Sequence, residues 1–156
     1  MNIGFLSMKV RRLHPGAHPL RRGSSQAAAA DVAYVGDERL TIHPGQVVKV
    51  PTGWAFQVPD NVALQVLPRS GLSTKRKLRP ANTPGLLDPD YRGELFVALE
   101  NFGNDTQVID SGEYVAQLMF TPFYKPLFQI ENKLEETERG EKGFGSTEGR
   151  EGVSRD

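Results

Sequence analysis

The constraint that most narrows the fold is the close spacing of turn signals. In LTIHPGQVVKVPTGWAFQVPDNVALQVLPRSG, residues 40–71, apolar runs of strand length are cut by His-Pro-Gly, Pro-Thr-Gly and Pro-Asp-Asn. Each triplet combines a φ-restricted proline with a glycine or Asx residue, which is turn chemistry. A helix needs a long uninterrupted stripe at 3.6-residue period, and no stretch of about a dozen residues keeps one with caps. Val62, Leu64 and Val66 instead alternate with Ala63, Gln65 and Leu67, the two-residue period of a strand. ELFVALEN (94–101) and EYVAQLMFTPFY (113–124) are apolar on both faces, so burial on both is expected. Eleven prolines and sixteen glycines spread along the chain fit short strands and tight turns. The expected class is all-β, a jelly-roll-like sandwich or barrel with short connections.

The 156 residues suffice for one domain with a real core and not comfortably for two. At 38% the hydrophobic share is low, which fits a small core with polar ends or a core shared between subunits. From Asn132 onward apolar residues almost vanish, apart from Leu134, Phe144 and Val153. The division expected is therefore a β domain over residues 8–131 and a mobile C-terminal arm over 132–156. Within the arm, KLEETERGEK could form a short helix, although it is polar all round. Arg21 to Ala30 reads as loosely ordered. With no cysteine, disulfides and thiolate metal sites are excluded. No apolar run approaches a membrane span, and MNIGFLSMKVRR lacks the apolar stretch of a signal peptide, so a cytoplasmic location without membrane association is the default. Lys9, Arg11, Arg12, Arg21 and Arg22 make the first thirty residues basic, but the whole chain is neutral and no aromatics interleave them. A solvated face, with no stable nucleic-acid partner, is the better reading.

Three segments carry candidate chemistry. Arg139-Gly-Glu-Lys-Gly-Phe-Gly-Ser-Thr147 places three glycines, two hydroxyls and two cations together. Glycine lets backbone N–H groups approach a phosphate, and successive N–H groups form an anion nest. A flexible soluble tail is the bland alternative, and the lone Phe144 weighs slightly against it because such a ring needs something flat to cover. Pro68-Arg-Ser-Gly-Leu72 ends a strand with a cation and a hydroxyl, and alone it reads as a plain strand end. Asp88-Pro-Asp-Tyr-Arg-Gly93 is ordinary β-turn chemistry. Its functional reading is a hairpin presenting a carboxylate beside an aromatic face, able to take a proton from water near Mg²⁺-bound phosphate. On local grounds the turn wins. His14 and His18 are separated by Pro15 and Gly16, which argues against a zinc pair on one helical face. No phosphate-binding GxxxxGK[ST] loop is present.

Taken in order, these segments resemble the trimeric dUTP pyrophosphatase (dUTPase) family. The resemblance covers about residues 9–149 and rests on five motifs: Ala28-Ala-Ala-Asp31-Val32, Pro68-Arg-Ser-Gly-Leu72, Asn82 through Gly93, Gly112-Glu-Tyr-Val-Ala-Gln117 and Arg139 through Thr147. It implies a jelly-roll-like fold and a homotrimer whose three active sites are each built from all three subunits. It implies hydrolysis of dUTP, with Mg²⁺ on the triphosphate, to dUMP and pyrophosphate, which limits uracil in DNA and supplies dUMP. Asp88 matches the general base and Tyr91 the ring that stacks on deoxyribose and rejects ribose. Asn82 matches the segment that reads the uracil edge, with Gly85 and Leu87 in the same substrate-binding stretch. Arg69, Ser70, Gly71 and Gln117 match phosphate-contacting positions. Asp31 matches the carboxylate that holds Mg²⁺ through water. Arg139, Phe144, Gly145, Ser146 and Thr147 match the closing arm, Phe144 over uracil and the others on the β- and γ-phosphates.

The chain departs from the family pattern in two places. Motif one carries alanines where the family usually has a glycine and a variable residue, which is expected to alter the start of the strand because alanine does not copy a glycine of positive φ. Glu148 stands where glycine often follows motif five. The rival enzyme is the dCTP deaminase family of the same fold, whose catalytic glutamate aligns with Val97 here, with Glu100 close by. A second rival is a dUTPase-like regulatory binding protein, against which the joint presence of Asp88, Tyr91 and the arm argues.

Overall fold

The computed structural model describes residues 6–141. The chain divides into two units, Met1–Tyr124 and Lys125–Asp156. Among its described residues the first contains ten strands and one short helix. In chain order these are β1 (Lys9–Arg12), β2 (Ala30–Ala33), β3 (Leu40–Ile42), β4 (Val47–Gln57), β5 (Val62–Leu67), α1 (Ser70–Arg76), β6 (Leu78–Pro80), β7 (Gly85–Leu87), β8 (Glu94–Asn101), β9 (Gln107–Ile109) and β10 (Tyr114–Pro122). One four-stranded sheet runs β1-β4-β8-β6, a second runs β2-β10-β5-β7, and β3 and β9 form a two-stranded ribbon. All pairings are antiparallel. The all-β expectation holds.

One core joins all three sheets. Val50, Phe56, Leu78, Leu95, Val97 and Leu99 come from the first sheet, Val32, Leu64, Val66, Val115 and Leu118 from the second, and Ile42 and Ile109 from the ribbon. β8 alternates strictly between buried and half-buried positions. A single chain thus buries one face of ELFVALEN, where the sequence suggested two. Phe96, on the other face, carries the Lys49 ammonium 3.8 Å from its ring centroid.

The turn signals act differently from one another. His43-Pro-Gly45 and Pro59-Asp-Asn61 are true turns, closed by Gln46 N–H donating to the His43 carbonyl (3.0 Å) and Val62 N–H to the Pro59 carbonyl (3.0 Å). Pro51-Thr-Gly53 does not break its strand. β4 runs through it with a bulge, since Pro51 opposes Phe96 while Ala55 opposes Glu94. Gly53 takes φ +72°, and a Cβ there would lie 2.7 Å from the Ala17 Cβ. Two further sequence readings differ. A helix forms over Ser70–Arg76, too short for periodicity to reveal, and its C-cap Lys77 adopts the left-handed region at φ 56°. KLEETERGEK forms no helix in its described part; Thr137 to Gly140 makes only a turn, with Gly140 N–H donating to the Thr137 carbonyl at 3.0 Å. A polar stretch with no apolar face to bury gains too little from propensity alone.

Two fully buried polar side chains fasten the core. Thr52 donates its hydroxyl to the Leu95 carbonyl at 2.7 Å, tying β4 to β8. Asn101 donates to the carbonyls of Ile42 (2.9 Å) and Asp105 (2.8 Å) and accepts from Gly103 N–H (3.0 Å). It thereby joins the ribbon, the end of β8 and the loop that follows. Removing it leaves the buried Ile42 carbonyl and two part-buried loop groups without this partner. Asn101→Ala should therefore cost about 2–4 kcal/mol in urea denaturation; a loss under about 1 kcal/mol would show that water replaces these bonds.

Candidate functional site

The expected site residues fall into two groups. The first sits on the outer face of the second sheet. Gln117 opposes Asp31 on β2 and Leu67 on β5, and Arg21 opposes Asp31 as an isolated bridge beyond β2. Directly opposed residues of antiparallel strands point to one face. Arg21, Asp31 and Gln117 therefore form a row across the sheet, opposite to the face on which Leu118 and Val66 enter the core.

A bulge adds Tyr114 to this face. Tyr114 opposes Ala33, Ala116 opposes Val32 and Gln117 opposes Asp31, so β10 has one residue more than β2 over this interval. In a straight strand, residues three apart point to opposite faces. The extra residue lets Val115 and Ala116 both turn inward, each fully buried, and returns Tyr114 and Gln117 to the same side.

Arg69, at the N-cap of α1, reaches into this group. Its Nη1 donates to the Tyr114 carbonyl (2.8 Å) and its Nη2 pairs with Asp31 Oδ2 (3.1 Å). Its guanidinium carbon lies 5.7 Å from the Tyr114 ring centroid, and that of Arg21 lies 5.1 Å from the same centroid. Gln117 Nε2 donates to the Pro68 carbonyl at 2.8 Å, holding the β5–α1 junction against β10. Ser70 and Gly71 open α1, and a Cβ on Gly71 would meet nothing within 4 Å. Asp31 survives the altered motif one: among described residues only Lys77 and glycines take positive φ, and β2 starts normally at Ala30.

The second group is the segment Asn82 to Gly93. It is not a hairpin between paired strands. β6 pairs with β8 in the first sheet, whereas β7 pairs with β5 in the second, so the chain crosses to the other sheet and back. Gly85 is buried where the segment meets β5; a Cβ there would lie 3.2 Å from that of Val66 and 3.4 Å from the Asn82 amide nitrogen. Leu87, half-buried, opposes Leu64. Asp88 follows directly and is exposed, with its carbonyl accepting from Tyr91 N–H (3.2 Å) in the turn the local sequence indicated. Tyr91 is 41% exposed and its hydroxyl donates to the Glu94 carbonyl at 2.9 Å. Its ring lies over Gly93, where a Cβ would stand 2.4 Å from the phenol oxygen.

The two groups do not meet within one chain. Gln117 lies opposite Leu67, while Asp88 lies one residue beyond Leu87, opposite Leu64. At about 3.3 Å rise per residue and about 4.8 Å between strands, Asp88 is roughly 13 Å along and about 10 Å across from Gln117. That is far beyond the roughly 3 Å reach at which a base serves a reaction held by the first group.

The deaminase alternative loses its residues. Val97 is 1% exposed in the core. Glu100 lies at the far end of β8 from Gly93 and is held by Arg79 at 3.0 Å. Phe144, Gly145, Ser146, Thr147 and Glu148 lie outside the described residues. Arg139 is described and exposed, in the second unit. Among the described residues no cluster of three potential metal ligands occurs, and no helix is long and apolar enough to cross a membrane. The sequence reading missed Arg21 and Tyr114 as neighbours of this group, because their convergence depends on the bulge and on the isolated bridge.

The chain is similar to known proteins over most of its length. The family model described as dUTPase matches residues 16–148. The deoxyuridine 5'-triphosphate nucleotidohydrolase of Desulfotalea psychrophila is 45% identical over 121 residues, 78% of this chain and 81% of that protein. A mutant of the dUTPase of phage 80alpha superposes with TM-score 0.80 at 25% identity, covering 90% of this chain and 98% of that one. A mutant dUTPase of S. aureus phage phi11, described with a structural Mg(II) ion, gives TM-score 0.75 at 21% identity over 84% of this chain and 100% of that one, and shows the fold alone.

The Arg69–Asp31 contact is checkable by itself. Both side chains are at least two-thirds buried, so the pair is less screened than a surface bridge. A double-mutant cycle with Arg69→Ala and Asp31→Asn should give a coupling energy of roughly 1 kcal/mol; additive effects would show that the pair contributes nothing.

Proposed function

This chain belongs to the dUTPase family and is a dUTP diphosphatase, and from that premise we propose that Asp88 activates the water that attacks the α-phosphorus, releasing dUMP and pyrophosphate at a site assembled from several copies of the chain. The observation that carries this reading is the separation of the two residue groups. One chain offers a base and a sugar-facing ring in one place and a phosphate-binding cluster in another. Assembly with further copies, a homotrimer in the family resemblance, would bring Asp88 of one chain to Arg69 and Gln117 of another.

The side chains suit these roles. Asp88 sits in a turn anchored by β7, exposed and able to reach a water molecule. The Tyr91 ring, held by its hydroxyl to Glu94 and backed by Gly93, offers a flat face, on which deoxyribose would stack and against which a 2′-hydroxyl would be rejected. The Asn82 amide carries both a donor and an acceptor, which suits the donor and acceptor groups on the uracil edge. Arg69 uses two of its N–H groups within the fold and keeps others for phosphate oxygens. Preorganised donors of this kind favour charge that develops in the transition state.

The residues also fit a divalent ion carried by the substrate. A single carboxylate does not hold Mg²⁺ by itself, but Asp31, with Oδ2 engaged by Arg69, has Oδ1 to accept from a metal-bound water. When bound, Mg²⁺ would neutralise charge on the triphosphate. The arm residues Arg139, Phe144, Gly145, Ser146 and Thr147 are proposed to close over uracil and the outer phosphates, excluding water as they order.

Asp88→Asn should abolish pyrophosphate release while leaving dUTP affinity within about threefold, by calorimetry. Mixing inactive Asp88→Asn with inactive Arg69→Ala, after unfolding and joint refolding, should restore part of the activity, because mixed assemblies contain some sites with both native residues. No recovery from mixed assemblies would refute sharing between chains. Truncation before Arg139 should keep the oligomer by light scattering and remove most turnover; an unchanged rate would refute the arm's role.

A further inference from the structure

Arg21 has no role in the reading above, yet its position is tightly specified. Its backbone is pinned to the edge of β2, with Arg21 N–H donating to the Asp31 carbonyl (3.2 Å) and Asp31 N–H to the Arg21 carbonyl (2.6 Å). The side chain leaves that point on the face that carries Asp31 and Gln117. Its guanidinium then lies against the Tyr114 ring, which also carries Arg69. The Tyr114 hydroxyl donates to the Pro19 carbonyl at 3.1 Å, fixing the ring to the segment that leads into Arg21.

The guanidinium carbons of Arg21 and Arg69 lie 5.1 and 5.7 Å from the same ring centroid. Asp31 offsets only one of them, because its carboxylate pairs with Arg69, and among the described residues no carboxylate lies within 4 Å of Arg21. The row Arg21, Asp31, Arg69 thus keeps one positive charge in excess beside Gln117. An isolated surface arginine would be free to extend into water; this one lies against the Tyr114 ring from a backbone pinned to β2. A cation without a carboxylate partner, fixed on the face that carries Gln117 and Arg69, is suited to an anion.

We propose that Arg21 is a further phosphate-binding residue for the polyphosphate end of the substrate, and that Tyr114 is the positioning residue whose ring Arg21 and Arg69 both lie against. The inference rests on the reading of Arg69 as a phosphate contact. It adds a cation that no motif contains, supplied by a segment whose composition suggested only a loose loop.

The test uses the full-length assembled protein. Arg21→Gln should raise KM for dUTP about tenfold or more, as expected for loss of one charge-assisted contact, with kcat changed less than about threefold. Inhibition by inorganic pyrophosphate should weaken in step, while inhibition by dUMP, which lacks the outer phosphates, should hold. Tyr114→Leu should also raise KM, and Tyr114→Phe, which keeps the ring, should restore it. Wild-type KM and pyrophosphate inhibition in Arg21→Gln would overturn the proposal. Titration calorimetry with inorganic tripolyphosphate separates the two readings. If the wild-type protein releases no pyrophosphate from dUTP yet Arg21→Gln weakens tripolyphosphate binding, the reaction assignment falls and the phosphate site stands. Equal tripolyphosphate binding by the two proteins overturns the site.

Discussion

The extra residue in β10 is the constraint on which the site depends. β10 pairs on both sides, with β2 and β5, so its register sets which face of the second sheet each side chain takes. Without the bulge, Tyr114 and Gln117 would point apart. With it, two consecutive apolar residues enter the core and the polar pair emerges together. Val115 and Ala116 are both completely buried, so the bulge is held by the packing of the core. Core burial and site geometry are one event here, and a change of volume at Val115 would be felt by Arg69 through the Tyr114 carbonyl.

The second sheet separates what the reaction needs together. Its two edge strands carry Asp31 and the lead into Asp88, with β10 and β5 between them. Antiparallel pairing keeps these edges apart as long as the sheet is intact. In the proposed reading, the meeting of the two groups would fall to contact between chains. The large apolar residues left exposed are consistent with this: Leu86 on β7 is 61% exposed and Tyr124, beyond β10, is 97% exposed. The apolar content, low for a self-sufficient core, fits a chain that completes its burial by association.

The segment from Asn82 to Gly93 shows how topology turns an ordinary turn into a presented carboxylate. A hairpin would have kept its flanking strands side by side. Here the chain leaves the first sheet after β6, pairs briefly with β5, and returns to form β8. Both connections therefore stand at the rim between sheets, where Asp88 and Tyr91 are exposed while Gly85 and Leu95 on either side are buried. Short anchors on both flanks limit how far the turn can move.

Residue chemistry by itself determined a good deal. Proline and glycine spacing argued against long helices and for short extended segments, because those residues restrict the backbone locally. The order of five short motifs identified the family, since side-chain identity at each position is independent of the fold around it. His43-Pro-Gly45 and Pro59-Asp-Asn61 were readable as turns for the same local reason. Tertiary structure decided the rest. Pro51-Thr-Gly53 has turn chemistry, but pairing with β8 outweighs it and leaves a bulge. The helix at Ser70 is too short to carry a period. The row of Arg21, Asp31 and Gln117, and the ring that two arginines share, arise only from strand register. Register is set by long-range pairing and core burial, which no local window of sequence contains.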